Sequence, residues 1–171
     1  MLIMAISRIE DLHGIIFWIM GCLEEPDRII INTILLISIL GLFISYFFSV
    51  DLNAFSLGEE EALHLGINIE RTKICLFFLA SVLTGFSVSA GGVIGFVGLV
   101  VPHVVRILVG TDHRILLICS FLCGGSFLIF CDTLARTVIA PLELPVGVIT
   151  GILGGSLFVY ILTKRRFIAL S

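Results

Sequence analysis

Apolar runs alternate with polar segments along this chain. The longest apolar runs cover residues 29–50, 74–89, 93–108, 115–131 and 146–163. A helix rises about 1.5 Å per residue, so about 20 residues cross a hydrocarbon core that is about 30 Å thick. These runs predict an all-α bundle with about five membrane-spanning helices, the pattern of a polytopic membrane protein.

The boundary between the second and third predicted spans depends on glycine. No charged residue occurs from Ile74 until Arg106, and this stretch is too long for one span. Ala90, Gly91 and Gly92 lie near its middle, where consecutive glycines predict a tight turn. We therefore expect one span to end at residue 89 and the next to begin at residue 93.

A shorter apolar segment, residues 12–21, precedes the spans. It follows Glu10 and Asp11, whereas a secretory signal carries positive charge at that point, and no A-x-A cleavage site follows it. The segment contains Trp18, a residue type that concentrates at the boundary between lipid and water. We predict a short helix that lies in the membrane interface.

Composition excludes several classes of protein. Hydrophobic residues make up 58% of the chain, charged residues only 13%, and the mean hydropathy is +1.20. A soluble fold of this size could not bury so much apolar surface. The net charge is −3, and the chain has no basic patch apart from a short tail, so we expect no nucleic-acid partner.

The sequence contains no recognisable catalytic or metal-binding pattern. The four histidines are scattered, and the five cysteines form no C-x-x-C pair. No P-loop, redox motif or nucleophile beside a base occurs either. The sequence therefore predicts neither an enzyme nor a bound metal or cofactor.

The distribution of basic residues predicts the orientation of the spans. Of the ten Lys and Arg residues, seven fall on one side of the predicted spans and three on the other. The seven are Arg71, Lys73, Arg106, Arg114, Lys164, Arg165 and Arg166, and the three are Arg8, Arg28 and Arg136. Since positive charge accumulates on the cytoplasmic side, the polar segment 56–73 and the C-terminus are expected to be cytoplasmic.

The polar segment 56–73 is the longest interruption between apolar runs. Ser56 followed by Glu59 has the spacing of a capping box for a helix that begins near Leu57. Gly66 is suited to the position just after a helix end. The segment is either a solvated connector on the headgroups or a short coupling helix that fits a cytoplasmic partner.

Longer strings of the sequence resemble one family of membrane proteins. They are SLGEEEALHLGINIERTK (56–73), GVIGFVGLVVPHVVRILVGTDHR (92–114), DTLAR (132–136), ELPVGVITGILGGSLFVYIL (143–162) and, more weakly, FWIMG (17–21). In this order and spacing they resemble the FecCD-type permeases, which belong to ATP-driven importers of iron-siderophores, haem and vitamin B12. Those permeases have about ten spans in about twice this length, so the resemblance implies the second half of a type II importer permease.

The resemblance implies roles for two groups of residues. In similar permeases, the loop that matches residues 56–73 contacts the ATPase subunit, which assigns coupling to Glu60, Glu61, Ala62, Leu63, Leu65 and Gly66. In those permeases, an arginine at the position of Arg136 pairs with a glutamate of the extracytoplasmic binding protein. The alternative for Arg136 is a local ion pair with Asp132 one turn earlier, and the two roles are compatible.

A third group lies near the cytoplasmic end of the predicted span 93–108. Pro102 removes a backbone donor and is expected to kink the helix. His103 and Arg106 lie one turn apart near the same end. The family carries this motif, and we interpret it as a kink with an interfacial anchor.

The resemblance also implies the assembly and the cargo. The expected partners are an ATPase subunit, an extracytoplasmic binding protein and a second permease copy, in the lipid of the cytoplasmic (inner) membrane. A ferric siderophore is the first substrate expected, with haem, cobalamin and molybdate as alternatives. The other alternative is an inactive truncated fragment without transport activity.

Overall fold

The computed structural model describes residues 9–23, 27–139 and 142–168, and the side chains of residues 14–23, 27–139, 142–161 and 163. Within these residues the chain is helical, without strands, which confirms the all-α class. The helices are α1 (Ile9–Ile19), α2 (Arg28–Phe47), α3 (Ser49–Phe55), α4 (Glu59–His64), α5 (Ile69–Gly91), α6 (Val97–Val109), α7 (His113–Thr137) and α8 (Val146–Ile168).

Three of the described helices are long and apolar enough to cross a membrane, namely α2, α5 and α7. Two further apolar helical stretches, Val97–Val109 and Val146–Ile161, are shorter. At 1.5 Å per residue, the 13 residues of α6 rise about 20 Å, which is less than the thickness of a bilayer core. The helix bounds also differ from the apolar runs, since α2 ends at Phe47 and α5 begins at Ile69.

The tight turn predicted at residues 90–92 is wrong in its position. Ala90 and Gly91 belong to α5, and the first residue after the helix is Gly92, which has a φ of +68°. Residues 92–96 are not helical, and α6 begins only at Val97. The break is therefore a five-residue segment whose position depends on the backbone freedom of Gly92.

Hydroxyl side chains in α5 do not interrupt its apolar surface. Ser81, Thr84 and Ser87 each donate to the carbonyl four residues earlier, at 2.7–2.8 Å. A polar group in lipid needs a partner, and these bonds supply one within the helix itself. The serines and threonine are thus compatible with a membrane-spanning helix.

The chain divides into two compact units. The first contains α1, the segment Gly91–Val100 and the residues from Ser126 onward. Its core contains Cys131, Ala135 and Val146, which are fully or almost fully buried. Partly buried side chains pack against that core, among them Phe127, Leu144, Ile149 and Leu153.

Four glycines in the first unit allow backbone segments to touch. We call Gly21, Gly91, Gly92 and Gly147 the glycine junction. The backbone N–H of Cys22 donates to the Gly91 carbonyl at 3.1 Å, and that of Gly147 donates to the Gly21 carbonyl at 3.3 Å. A Cβ atom on Gly21 would lie 2.8 Å from the carbonyl oxygen of Val93. The chain after α1 can therefore pack directly against the ends of α5 and α8.

The second unit contains residues 26–90 and 101–125. Here α2 approaches α5 at Gly41, which is buried and where a Cβ would lie 3.0 Å from Cγ of Leu83. The short helices α3 and α4 follow α2 and lead into α5. Ser49 and Ala54 of α3 are buried, so this helix is a packed part of the unit.

Candidate functional site

The short helix predicted within residues 56–73 is present as α4, but its start differs from the prediction. The N-cap residue is Gly58, with a φ of +124° and no side-chain cap. Ser56 instead donates its hydroxyl to the Asn53 carbonyl at 2.6 Å. The prediction of a capping box is therefore wrong. Ser56 is the C-cap residue of α3, and the Glu59 carboxylate binds a side chain of α5.

The end of α4 is as predicted. Gly66, with a φ of +82°, follows the C-cap residue Leu65. The N–H of Gly66 donates to the Leu63 carbonyl at 2.9 Å, and the N–H of Ile67 donates to the Ala62 carbonyl at 3.2 Å. These two bonds make a complete Schellman motif, which satisfies carbonyls at the helix end. Glycine is favoured here because its backbone is left-handed.

The side chains of α4 divide between a buried and an exposed face. Ala62 is fully buried, whereas Leu63 and Leu65 are 59% and 64% exposed. Glu60 and Glu61 are also exposed, near the positive end of the helix dipole. We call the exposed set, Glu60, Glu61, Leu63, Leu65 and Gly66, the α4 surface. It combines two large apolar side chains with two carboxylates.

Open grooves lie beside the α4 surface. One, with a volume of about 560 Å³, is lined by Leu63, Gly66, Asn68 and Glu70, among others. Another, of about 600 Å³, includes Leu57, Leu65, Asp51 and Asp112 in its lining. A partner could therefore contact the exposed leucines from two directions.

Two side-chain bonds connect these short elements to the start of α5. Lys73 donates to Glu59 at 2.5 Å, and both side chains are largely exposed. Thr72, which is buried, donates its hydroxyl to Asp51 of α3 at 3.2 Å. The exposed pair stabilises little by itself, about 0–1 kcal/mol. Together the bonds fix both α3 and the first turn of α4 to α5.

Asn53 of α3 binds the segment that leads into α7. Its amide nitrogen donates to Asp112 at 2.9 Å, and its oxygen accepts from the backbone N–H of His113 at 2.8 Å. Asp112 also accepts from the N–H of Arg114 at 3.0 Å, as a helix-capping aspartate does. The Asn53 amide and the Arg114 N–H lower the pKa of the Asp112 carboxyl below its usual range.

Sequence reasoning missed Asp51, Asn53 and Asp112. A weak signal was present, because Asp51 and Asn53 follow an apolar run directly and Asp112 precedes one in a capping position. Their partners lie 21 and 59 residues away in sequence. Spacing along the chain therefore could not reveal the network.

Arg136 lies near the end of α7 and makes two contacts in the first unit. Its Nε donates to Asp132 at 2.9 Å, which is the local pair expected from their spacing. Its Nη2 donates to the Leu23 carbonyl at 3.1 Å, a contact that the sequence did not predict. The Arg136 side chain remains 44% exposed. Part of the guanidinium therefore stays accessible to a partner.

Pro102, His103 and Arg106 lie within α6. Pro102 and His103 are half-buried and Arg106 is exposed. Pro102 has no N–H to donate to the carbonyl of Gly98, so one bond of the helix ladder is absent. The proposed kink and anchor remain a prediction.

Comparisons with known proteins converge on one family. The profile of the FecCD transport family matches residues 1–164. The hemin transport system permease of Yersinia pestis is 41% identical over 94% of this chain and 48% of its own length. The cobalamin import system permease of Halobacterium salinarum is 40% identical over 94% and 43%. The Fe(3+) dicitrate transport system permease of Escherichia coli is 39% identical over 94% and 51%.

A solved structure supports the same relationship. It is described as an inward-facing conformation of an ABC transporter of the metal-chelate type, and it superimposes with a TM-score of 0.85 at 33% identity. The match covers 95% of this chain and 53% of the solved one. This chain thus spans about half the length of the proteins that it matches.

Proposed function

Because the chain belongs to the FecCD transport family, we propose that it acts as a membrane permease subunit of an ATP-driven importer. In this proposal a separate subunit hydrolyses ATP, an extracytoplasmic protein delivers the cargo, and a second permease copy completes the pathway. The chain lies in the cytoplasmic (inner) membrane with its C-terminus in the cytoplasm. It corresponds to the second half of a longer permease, so it acts together with the remaining spans.

The α4 surface is the proposed contact with the ATPase. The observation that carries this proposal is the exposure of Leu63 and Leu65 on a helix whose two ends are fixed. A protein that leaves such leucines exposed beside carboxylates presents a surface suited to a partner. Ala62, also assigned to coupling by the resemblance, faces inward and supports the surface from below.

The attachment of α4 suggests how coupling proceeds. A push on α4 reaches α5 through the Glu59–Lys73 pair and through the short Schellman turn. The 23 residues of α5 rise about 34 Å, so a rigid movement at one end reaches the far side of a bilayer. Closure of the ATPase subunits on ATP would then bias the permease between inward-facing and outward-facing states.

Arg136 is the proposed docking residue for the binding protein, with Asp132 orienting it. Asp132 accepts a hydrogen bond from one nitrogen of the guanidinium, and the Leu23 carbonyl accepts one from another. These two bonds hold the planar group in one orientation. A partner carboxylate would meet a preorganised cation, and less rotamer entropy would be lost on binding.

Reversal of this charge tests the docking role. We expect Arg136→Glu to weaken binding of the cognate binding protein about tenfold at low salt, with a smaller effect at high salt. Asp132→Asn, which retains the arginine, should change affinity less than threefold or so. Titration of the binding protein against reconstituted transporter at two salt concentrations measures both. Equal affinity of the wild type and Arg136→Glu would leave Arg136 with only its local structural contacts.

The proposed cargo is an iron chelate of the siderophore type. The names of the similar proteins include ferric dicitrate, hemin and cobalamin, so all are compact chelates of a metal. Haem, cobalamin and molybdate are the alternatives. Pro102, His103 and Arg106 are proposed to shape α6 and anchor it at the interface, without a direct role in cargo binding.

Uptake into proteoliposomes tests transport and cargo together. The complete assembly, with its ATPase and binding protein, should accumulate a ferric siderophore only when ATP is present. Hemin, cobalamin and molybdate are offered in parallel. If the ATPase binds but no cargo accumulates, the chain is the inactive fragment rather than a working permease.

A further inference from the structure

Helix α3 is a polar junction between three parts of the second unit. Its Asp51 binds Thr72 near the start of α5, and its Asn53 binds Asp112 and His113 at the start of α7. The turn at residues 56–58 connects α3 directly to α4, where the N–H groups of Leu57 and Gly58 donate back to α3 carbonyls. A displacement of α4 therefore reaches α7 through α3.

The hydrogen bonds fix the orientation of the Asn53 amide. Its oxygen faces the backbone N–H of His113, which can only donate. The same oxygen lies 2.8 Å from Nδ1 of His113, which then carries a proton. Its nitrogen faces the Asp112 carboxylate, which can only accept while ionised. Asparagine is thus the short side chain that offers one donor and one acceptor in this geometry.

We propose that Asn53 is a positioning residue that couples the α4 surface to α7, through its paired bonds to Asp112 and His113. This proposal rests on the coupling function proposed above for the α4 surface. Asn53 touches neither the cargo nor the ATPase in this view. It makes the start of α7 move with α3 and α4 as one body, so that a push at the α4 surface reaches two long helices.

A reversal of donor and acceptor tests this proposal. Asn53→Asp places two carboxylates at hydrogen-bond distance, which both removes the donor and adds repulsion. Asp112→Asn alone should be mild, because the new amide oxygen can still accept from Asn53 and Arg114. When Asn53→Asp and Asp112→Asn are combined, the carboxylate introduced at position 53 accepts from His113 and from the amide nitrogen introduced at position 112. The bond between positions 53 and 112 is then restored with its direction reversed, whereas the Arg114 N–H loses its acceptor, because in the wild type it donates to the same Asp112 oxygen that accepts from Asn53.

The readout is cargo transported per ATP hydrolysed in the reconstituted complex, measured at pH 8. We expect Asn53→Asp to lower this ratio about tenfold and the double variant to bring it back to within about threefold of the wild type, because the link between α3 and α7 is restored although the bond to the Arg114 N–H is lost. Asn53→Leu, of similar size but without hydrogen bonds, should lower it as well. An unchanged ratio in Asn53→Asp and Asn53→Leu, or no recovery in the double variant, would overturn the proposal.

Two further measurements separate positioning from simple stability. In the single variants, the affinity for the ATPase should stay within about twofold of the wild type. Their melting temperatures should stay within about 4 °C of the wild type. If both fall in step with the transport ratio, Asn53 is only a structural residue and the proposal fails. Ser56→Ala is the matched control, because that hydroxyl bonds only within α3. A wild-type chain that binds no ATPase would refute the coupling function itself, which is a different result.

Discussion

Replacement of Gly147 by alanine is expected to destabilise the first unit severely, whereas Gly151→Ala, one turn later in α8, is expected to stabilise it. A Cβ on Gly147 would overlap the carbonyl oxygen of Met20 and lie 3.0 Å from that of Val93. Both neighbours are backbone atoms of residues next to the glycine junction, and neither can rotate away as the end of a side chain could. We expect Gly147→Ala to lower the free energy of unfolding by about 3 kcal/mol or more, which is at the upper end of the range for overpacked residues.

Gly151 provides the matched control because nothing lies within 4 Å of a Cβ there. Alanine in an open helical position lowers the entropy of the unfolded chain. The free energy of unfolding is therefore expected to rise by about 0.5–1 kcal/mol. Thermal unfolding in detergent micelles, followed by the fluorescence of Trp18, the single tryptophan of the chain, measures both variants. Gly147→Ala should lower the melting temperature by about 6–12 °C. Similar melting temperatures for the two variants would contradict the contacts assigned to the glycine junction.

Glycine spacing in the sequence indicated the packing only in part. Gly147, Gly151 and Gly155 repeat every four residues, which is typical of a helix face that meets another helix. In the structure, Gly147 instead contacts the turn after α1, and Gly154 contacts Phe96. A Cβ atom added to Gly154 would lie 2.5 Å from the Cβ atom of Phe96. Such contacts join segments far apart in the chain, so a local repeat cannot predict them.

The break between α5 and α6 shows a similar limit. Its glycines predicted a turn, but the five-residue segment ends at Phe96, a bulky residue with a φ of +66°. That conformation costs about 1–2 kcal/mol, and packing against the glycines of α8 offsets it. A phenylalanine in this position carries no local signal of a break.

Around α4, the sequence predicted the parts that depend on neighbouring residues. Gly66 ends the helix as expected, because a left-handed residue after the C-cap is a local requirement. The start of the helix was predicted wrongly, because Ser56 was already engaged by α3. Likewise Arg136 pairs with Asp132 as its spacing suggested, while its bond to the Leu23 carbonyl spans 113 residues and has no counterpart in the local pattern.

Gly66→Val is expected to abolish coupling between the ATPase and transport, and Gly66→Asn to preserve most of it. The space around Gly66 is open, so bulk alone creates no clash there. Valine cannot easily adopt the φ of +82° found at Gly66, because this conformation costs a β-branched residue about 2 kcal/mol or more. Asparagine tolerates this region of backbone conformation. A cost of about 2 kcal/mol corresponds to roughly a thirtyfold shift in the population of the closed turn.

Loss of that turn would release the two bonds that the Gly66 and Ile67 N–H groups make to α4, and Leu63 and Leu65 would no longer be held in place. We therefore expect ATPase affinity to fall at least tenfold or so in Gly66→Val, with transport lost, and to stay within about threefold in Gly66→Asn. Binding of the ATPase to reconstituted permease and ATP-driven uptake measure the two effects. Normal transport by Gly66→Val would refute the coupling assignment of the α4 surface. Equal loss in both variants would instead show that the site needs glycine for close approach of the partner, because backbone conformation alone would spare asparagine.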